Sequence, residues 1–382
     1  MKKQHFLITK HNIFSIIIAL LLIFTTVLSF VACSGGDTDI TSEKTTAVTS
    51  DAPNLTGTKP ASDDPGPTAK AEFKNETLKK AFASCIDKKA DDITVGDCEK
   101  VKVLFLDSLG LNIAYEDYIS EYEKTLSADY PLKSTITVDM KKSQYESVIN
   151  SYDPEDLALF KNVEYLAVTN ASGKVKLSDY ACFKYLRHLV VFMSDCSSLD
   201  GINSFSKLES LTVGSNTLSD ISALSENKTI KTLWITYTQK ITDWTAVSSM
   251  TQLEFVSLDS IAVSDIEFVK TLTNLKRFQA TGNQLKDISP LFGLTELRII
   301  NVNLNSISSI KGISALKNLV SLDINNSSFD DISELYGLTS LKRVNLSANT
   351  AVSEEKIKQL AEKLPGADIM YSSGIPTTDN QK

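Results

Sequence analysis

Few side chains in this sequence are placed to do chemistry. Beyond the first eleven residues the chain holds a single histidine, His188. One imidazole cannot build a multi-histidine zinc site, and it leaves room for at most one Ser–His or Cys–His base. No Gly-x-Ser-x-Gly elbow, His-Glu-x-x-His helix or phosphate-cradling glycine loop is present. Asp and Glu together number 47, so paired carboxylates occur everywhere and discriminate nothing. One acidic column does recur: Asp220, Asp243, Asp265, Asp287 and Asp331, most standing just before Ile. It could be read as metal ligands, but an Asp ahead of an apolar residue suits the start of a short helical turn. The reading is therefore no catalysis, no cofactor and no metal.

The one reactive position that stands out is Cys33. Lys2, Lys3 and Lys10 precede an uncharged run, Ile13 to Ala32, that ends in "FVACSGG". A basic start, an apolar stretch and small residues before a cleavage point read as an export signal. A run of about 20 apolar residues could equally stay as a membrane-spanning helix. The Ala32–Cys33 pair resembles the lipobox of bacterial lipoproteins, although Phe30 stands where that pattern usually has Leu. The resemblance implies a signal peptide over 1–33, lipidation at Cys33, and anchoring to the cell membrane facing the extracellular side. An uncleaved signal anchor would tether the chain in the same orientation. Residues 34–70, "SGGDTDITSEKTTAVTSDAPNLTGTKPASDDPGPTAK", hold almost no large apolar side chain and read as a flexible stalk.

Cys85, Cys98, Cys182 and Cys196 remain, an even number that permits disulfides in an exported chain. Cys98 and Cys196 fall at core-facing positions, which suits buried thiols. The net charge is −8 and no basic run exceeds a pair, so the basic stripe of a nucleic-acid binder is missing. With 42% hydrophobic residues, the chain can bury a large core.

The elements that would position any site are set by a repeat. "KNVEYLAV", "KYLRHLVV", "SKLESLTV", "KTIKTLWI", "TQLEFVSL", "TNLKRFQA", "TELRIINV", "KNLVSLDI" and "TSLKRVNL" begin at 161, 184, 206, 228, 251, 273, 295, 317 and 339. The spacing is 22 residues, with two intervals of 23, one of which contains "LWITYTQKITDW". The third, sixth and eighth residues of each unit are almost always apolar, and no unit can bury them alone, so stacked neighbours must. Asn recurs at the eleventh position (Asn216, Asn283, Asn305, Asn349), where its side chain can bond turn backbone.

This pattern resembles the 22-residue leucine-rich repeat of internalin-type bacterial surface proteins, most clearly in "TNLKRFQATGNQLKDISPLFGL", Thr273 to Leu294. The resemblance implies an α/β repeat solenoid, a right-handed superhelix with a curved parallel sheet on its concave face and short helical or irregular returns on the convex side. The expected organisation is an N-terminal cap and first repeat over 71–109, an insertion of unassigned role over 110–160, repeats over 161–350, a C-terminal cap over 351–375 and a tail over 376–382. "SEEKIKQLAEKLPGADIMY" supplies that cap, with Ser353 at the helix start, Ile357, Leu360 and Leu364 on its apolar face, and "ADIMY" as a last strand.

Alternation along a strand sends positions five, seven and nine of each unit out of the concave face, with four and ten beside them. Those positions gather Tyr165, His188, Phe192, Trp234, Tyr237, Phe255 and Arg277, while later units turn polar. Clustered outward aromatics favour a binding face, although aromatics also populate half-exposed sheets generally. Trp244 falls instead at the convex position of Ile221, Ile266 and Ile288 and is expected in the core, with the extra residue of "TYTQK" making room for its ring. The resemblance to internalin-type proteins implies a protein partner on a host or neighbouring cell. A carbohydrate-binding or carbohydrate-processing surface protein is the alternative, and a structural envelope component a third.

Overall fold

The computed structural model describes residues 66–107, 110–114, 141–142, 153–171, 173–215 and 217–372. The signal peptide, Cys33, nearly all of the stalk, Asn216, the tail over 376–382 and most of the 110–160 segment lie outside these residues. Among the described residues no helix is long and apolar enough to cross a membrane.

One sheet of thirteen described strands organises the molecule. The strands are β1 (Val103–Asp107), β2 (Gly110–Ala114), β3 (Lys141–Lys142), β4 (Tyr165–Thr169), β5 (His188–Phe192), β6 (Ser210–Gly214), β7 (Thr232–Thr236), β8 (Phe255–Ser257), β9 (Arg277–Gln279), β10 (Ile299–Asn301), β11 (Ser321–Asp323), β12 (Arg343–Asn345) and β13 (Asp368–Met370). From β4 to β13 each strand pairs in parallel with the next, and β1 pairs in parallel with β4. At the N-terminal edge β2 turns back antiparallel onto β1, and β3 continues beyond it.

The sixth and eighth positions make the core that runs the length of the stack. Leu166, Leu189, Leu211, Leu233, Val256, Phe278, Ile300, Leu322 and Val344 sit one above another, all buried. Burying each such side chain is worth roughly 1.5–3 kcal/mol, and only the neighbouring units can cover it.

The turn after most of the repeat strands uses a left-handed residue. Asn170, Met193, Tyr237, Ser260, Leu304, Asn326 and Ala348 have φ between 49° and 58°, and Gly282 has φ 66°. All occupy the tenth position. A side chain in this region costs roughly 1–2 kcal/mol, so the repeat accepts strain to bend its chain. The asparagine that follows secures the bend. Asn349 accepts from the Ser327 N–H and donates to the Ile324 and Leu346 carbonyls, and Asn305 and Asn283 bond in the same manner.

On the convex side the returns are short 3-10 turns, with one helical turn at Thr245–Ser248. Each member of the Asp column accepts the N–H two residues on: Asp220 from Ser222, Asp243 from Thr245, Asp265 from Glu267, Asp287 from Ser289 and Asp331 from Ser333, at 2.6–2.9 Å. The carboxylate lies one residue ahead of the helical cap position and forms an Asx turn leading into it. Trp244 packs against the core as expected but is only half-buried, and its ring stacks on Phe268 of the next unit (centroids 5.2 Å apart, planes 14°). The extra residue of its unit falls between Thr238 and Ile241, since Thr238 is buried at the asparagine position and Ile241 packs against the core.

Helices close the ends. Helix α1 (Glu76–Cys85) is capped by Asn75, whose carbonyl oxygen accepts the Leu78 N–H. The Asp156 carboxylate takes the backbone N–H groups of Lys74 and Asn75. At the other end a helix at Glu354–Lys363 starts on Ser353 and buries Leu360, and β13 follows it. Cys85, Cys98, Cys182 and Cys196 are free thiols. Burial pushes Cys98 up to about 12, and Cys182 and Cys196 up to about 11, so these three stay as protonated thiols at neutral pH.

Candidate binding face

Strand register brings the fifth positions of all units into one row: Tyr165, His188, Ser210, Thr232, Phe255, Arg277, Ile299, Ser321 and Arg343 are successive pairing partners. Positions seven and nine form parallel rows beside it. The seven residues singled out from the sequence therefore share the concave face, but they form separate groups. Tyr165 and His188 lie 6.1 Å apart at the N-terminal end. Phe192 and Tyr237 meet edge to face at 5.8 Å, across β6. Trp234 and Phe255 are 6.3 Å apart, tilted by 55°, and the Arg277 guanidinium lies 4.6 Å from the Phe255 centroid.

Their exposure differs from the outward reading. Tyr165, His188, Phe255 and Arg277 are only 3, 2, 5 and 6% exposed. Strands in a sheet are about 4.8 Å apart, so large side chains on an inward-curving face cover one another. Tyr165 joins a second apolar cluster with Val103, Phe105, Ala114, Ala167 and Val190, packed by Phe192, on the face opposite the main core. Phe192, Trp234 and Tyr237 are the half-exposed members. Met193, beside Phe192, is 66% exposed. Phe192 has its place because β6 offers a glycine there. A Cβ on Gly214 would stand 2.3 Å from the Phe192 ring carbons.

The electrostatics of the face follow from this crowding. Burial, reinforced by Arg187, holds His188 down at about 4, so it is neutral at pH 7. Burial raises Asp259 above the usual carboxylate range, although the Thr281 N–H and the Ser257 hydroxyl both donate to it at 2.8 Å. Burial also works against the charge on Arg277, which nearby Asp259 partly supports. Among the described residues, Nε of Arg277 and Nε1 of Trp234 are buried without a hydrogen-bond partner.

Position four, beside the concave face, carries a further feature that the outward rows alone do not show. Its column reads Lys102, Glu164, Arg187, Glu209, Lys231, Glu254, Lys276, Arg298, Val320, Lys342. Signs alternate as far as Lys276, and ion pairs join Lys102 to Glu164 (2.7 Å), Arg187 to Glu209 (2.9 Å) and Lys276 to Glu254 (2.7 Å). Beyond Glu254 the column holds no acid. Among the described residues no group of His, Cys, Asp or Glu is arranged to hold a metal ion.

No protein-family model matches the sequence, and no curated protein does. Solved structures do match the fold. The internalin InlF of Listeria monocytogenes superposes with a TM-score of 0.57 at 18% identity, over 82% of this chain and 86% of that one. The functional domain of InlJ from Listeria monocytogenes gives 0.49 at 16% identity, over 78% and 69%. An internalin C2 of the same species gives 0.45 at 16%, over 78% and 94%. The chain has the internalin-type leucine-rich-repeat fold.

Proposed function

We propose that this chain is an exported, membrane-anchored leucine-rich-repeat protein that binds a macromolecular ligand, a protein, through its concave face and carries out no catalysis. The observation that carries this reading is the half-exposed trio Phe192, Trp234 and Tyr237 on that face, with the indole nitrogen of Trp234 left without a partner. A large apolar ring with an unused donor is what interface hot spots offer. His188, the single imidazole of the repeat region, is buried and held down at about 4, a weak base, which supports the reading without catalysis. The export signal and the Ala32–Cys33 pair support lipid anchoring at the outer side of the cell membrane.

A glycan is the alternative ligand. Sugar rings stack on flat, open aromatic faces, and here Arg277 occupies the face of Phe255. Phe192 and Tyr237 meet edge to face and so do not form a flat stacking platform with Trp234, which favours a protein. Binding of the full chain to immobilised extracellular proteins and to glycans, compared with Trp234→Ala, tests the reading. Palmitate incorporation that does not depend on Cys33 would remove the lipid anchor from it.

A further inference from the structure

We infer that Arg277, flanked by Phe255 and Trp234 on the concave face, is a carboxylate-recognition site, and that its occupant is an acidic side chain of an extended segment in a partner protein. This rests on the reading of the concave face as the binding surface and names the chemistry at its centre.

Three observations converge. First, Arg277 is a guanidinium almost wholly withdrawn from solvent, yet among the described residues no side chain or carbonyl hydrogen-bonds it and no carboxylate lies within ion-pair distance. A guanidinium presents five donors in a planar fork that matches a carboxylate with two parallel bonds. Second, the nearest acid, Asp259, forms no ion pair with the guanidinium among the described residues, and its two oxygens are instead oriented by the Thr281 N–H and the Ser257 hydroxyl. Third, no unpaired acid stands beside Arg277 in the position-four column: Glu254 is held by Lys276 at 2.7 Å, and the column continues with Lys276 and Arg298. Attraction in such a desolvated place is far stronger than at an open surface.

The arrangement also sets the geometry of recognition. Phe255 fixes the guanidinium plane by a cation–π contact. Trp234 stands on the far side of Phe255, its half-exposed ring available to pack against the same segment. Gln279 and Thr281, beside Arg277 on β9 and just beyond it, offer an amide and a hydroxyl along the same path. A segment lying across the strands would thus meet an indole, a fork of donors and a polar row in sequence.

The test uses the full chain in detergent micelles and an array of acetylated, amidated decapeptides of mixed sequence. Each is printed three times, with Glu, Gln or Lys at a central position. The Glu peptides are expected to bind about tenfold more tightly than their Gln partners, the usual difference between a charged and a neutral acceptor. That ratio should fall to near one in Arg277→Met, fall partly in Arg277→Lys, which keeps the charge without the fork, and persist in Arg343→Met. A Glu-to-Gln ratio of one in the parent chain, or no retained peptide, overturns the inference. Preferential retention of sialylated or uronic-acid glycans on the same slide, abolished by Arg277→Met, overturns the peptide as occupant. Trp234→Ala reads the underlying face separately. Peptides that lose affinity there with a ratio of one discard the carboxylate site and keep the face, whereas affinities unmoved by Trp234→Ala discard the face itself.

Discussion

The ring of Phe192 lies directly over Gly214, its register partner on the adjacent strand, at a distance that leaves no room for a Cβ. Tyr237 then packs edge-on against Phe192 from the strand beyond. The glycine is what allows an aromatic ring to bridge two strands and meet a third. Gly214→Ala should therefore displace both rings. Because Phe192 is half-exposed and can swing away, the stability cost is expected to be about 1 kcal/mol in urea unfolding, near the lower end for overpacking. Ligand affinity should drop as far as in Phe192→Ala. Unchanged affinity in Gly214→Ala would show that the position of the Phe192 ring does not matter.

The asparagine ladder is expected to carry more stability than any surface ion pair. Asn349 is fully buried and serves one N–H and two carbonyls of the turn. Asn349→Ala strands those groups and should cost about 3 kcal/mol or more. Asn318→Ala, which removes one exposed bond to the Thr295 carbonyl, should cost under about 1 kcal/mol. Thermal or urea unfolding of the pair checks the contrast, and equal losses would contradict it.

At the tenth position the backbone conformation, not the side chain, sets the energetics. Gly282→Ala places a Cβ at φ 66° and should destabilise by about 1 kcal/mol. Ala348→Gly relieves a residue at φ 58° and should lose little or gain, despite the general cost of glycine. Both are read from urea midpoints at constant slope.

His188 gives a pH signature with a definite sign. Its folded value of about 4 lies below the 6.5 of an unstructured imidazole. As pH falls, the unfolded chain takes up the proton first, so stability is complete above about pH 6.5 and is lost toward pH 4. The loss is expected to reach about 3 kcal/mol, from 1.36 kcal/mol per pKa unit. Asp259 and Asp323, both raised by burial, act in the opposite sense. The measurement is therefore a difference: unfolding free energy at pH 7 and pH 4.5, for the parent chain and for His188→Gln. The parent should lose about 2–3 kcal/mol more than the variant.

Much of this architecture was legible as register. Once the units beginning at 161 and 184 are aligned, the pairing of Tyr165 with His188 and of Phe255 with Arg277 follows, because a parallel solenoid places equivalent positions side by side. Burial on the concave face was not legible. Alternation says which way Arg277 points, but not that Phe255 and its neighbours will close over it. Trp244 shows the same limit, since position placed it on the convex side while stacking on Phe268 left it half-exposed. The left-handed turn was hidden because Tyr237, Leu304 and Ala348 carry no residue-type signal for it. The alternating ladder from Lys102 to Lys276 was visible in the sequence to anyone reading position four.

The central claim is that the half-exposed aromatics of the concave face bind a macromolecular ligand. The most direct measurement is the Kd of the full chain for a ligand retained from immobilised extracellular proteins and glycans, set beside Trp234→Ala. Removing a hot-spot tryptophan should weaken binding by about 30-fold, equivalent to about 2 kcal/mol. Tyr237→Ala and Phe192→Ala should weaken it less. An affinity unmoved by all three substitutions would contradict the claim.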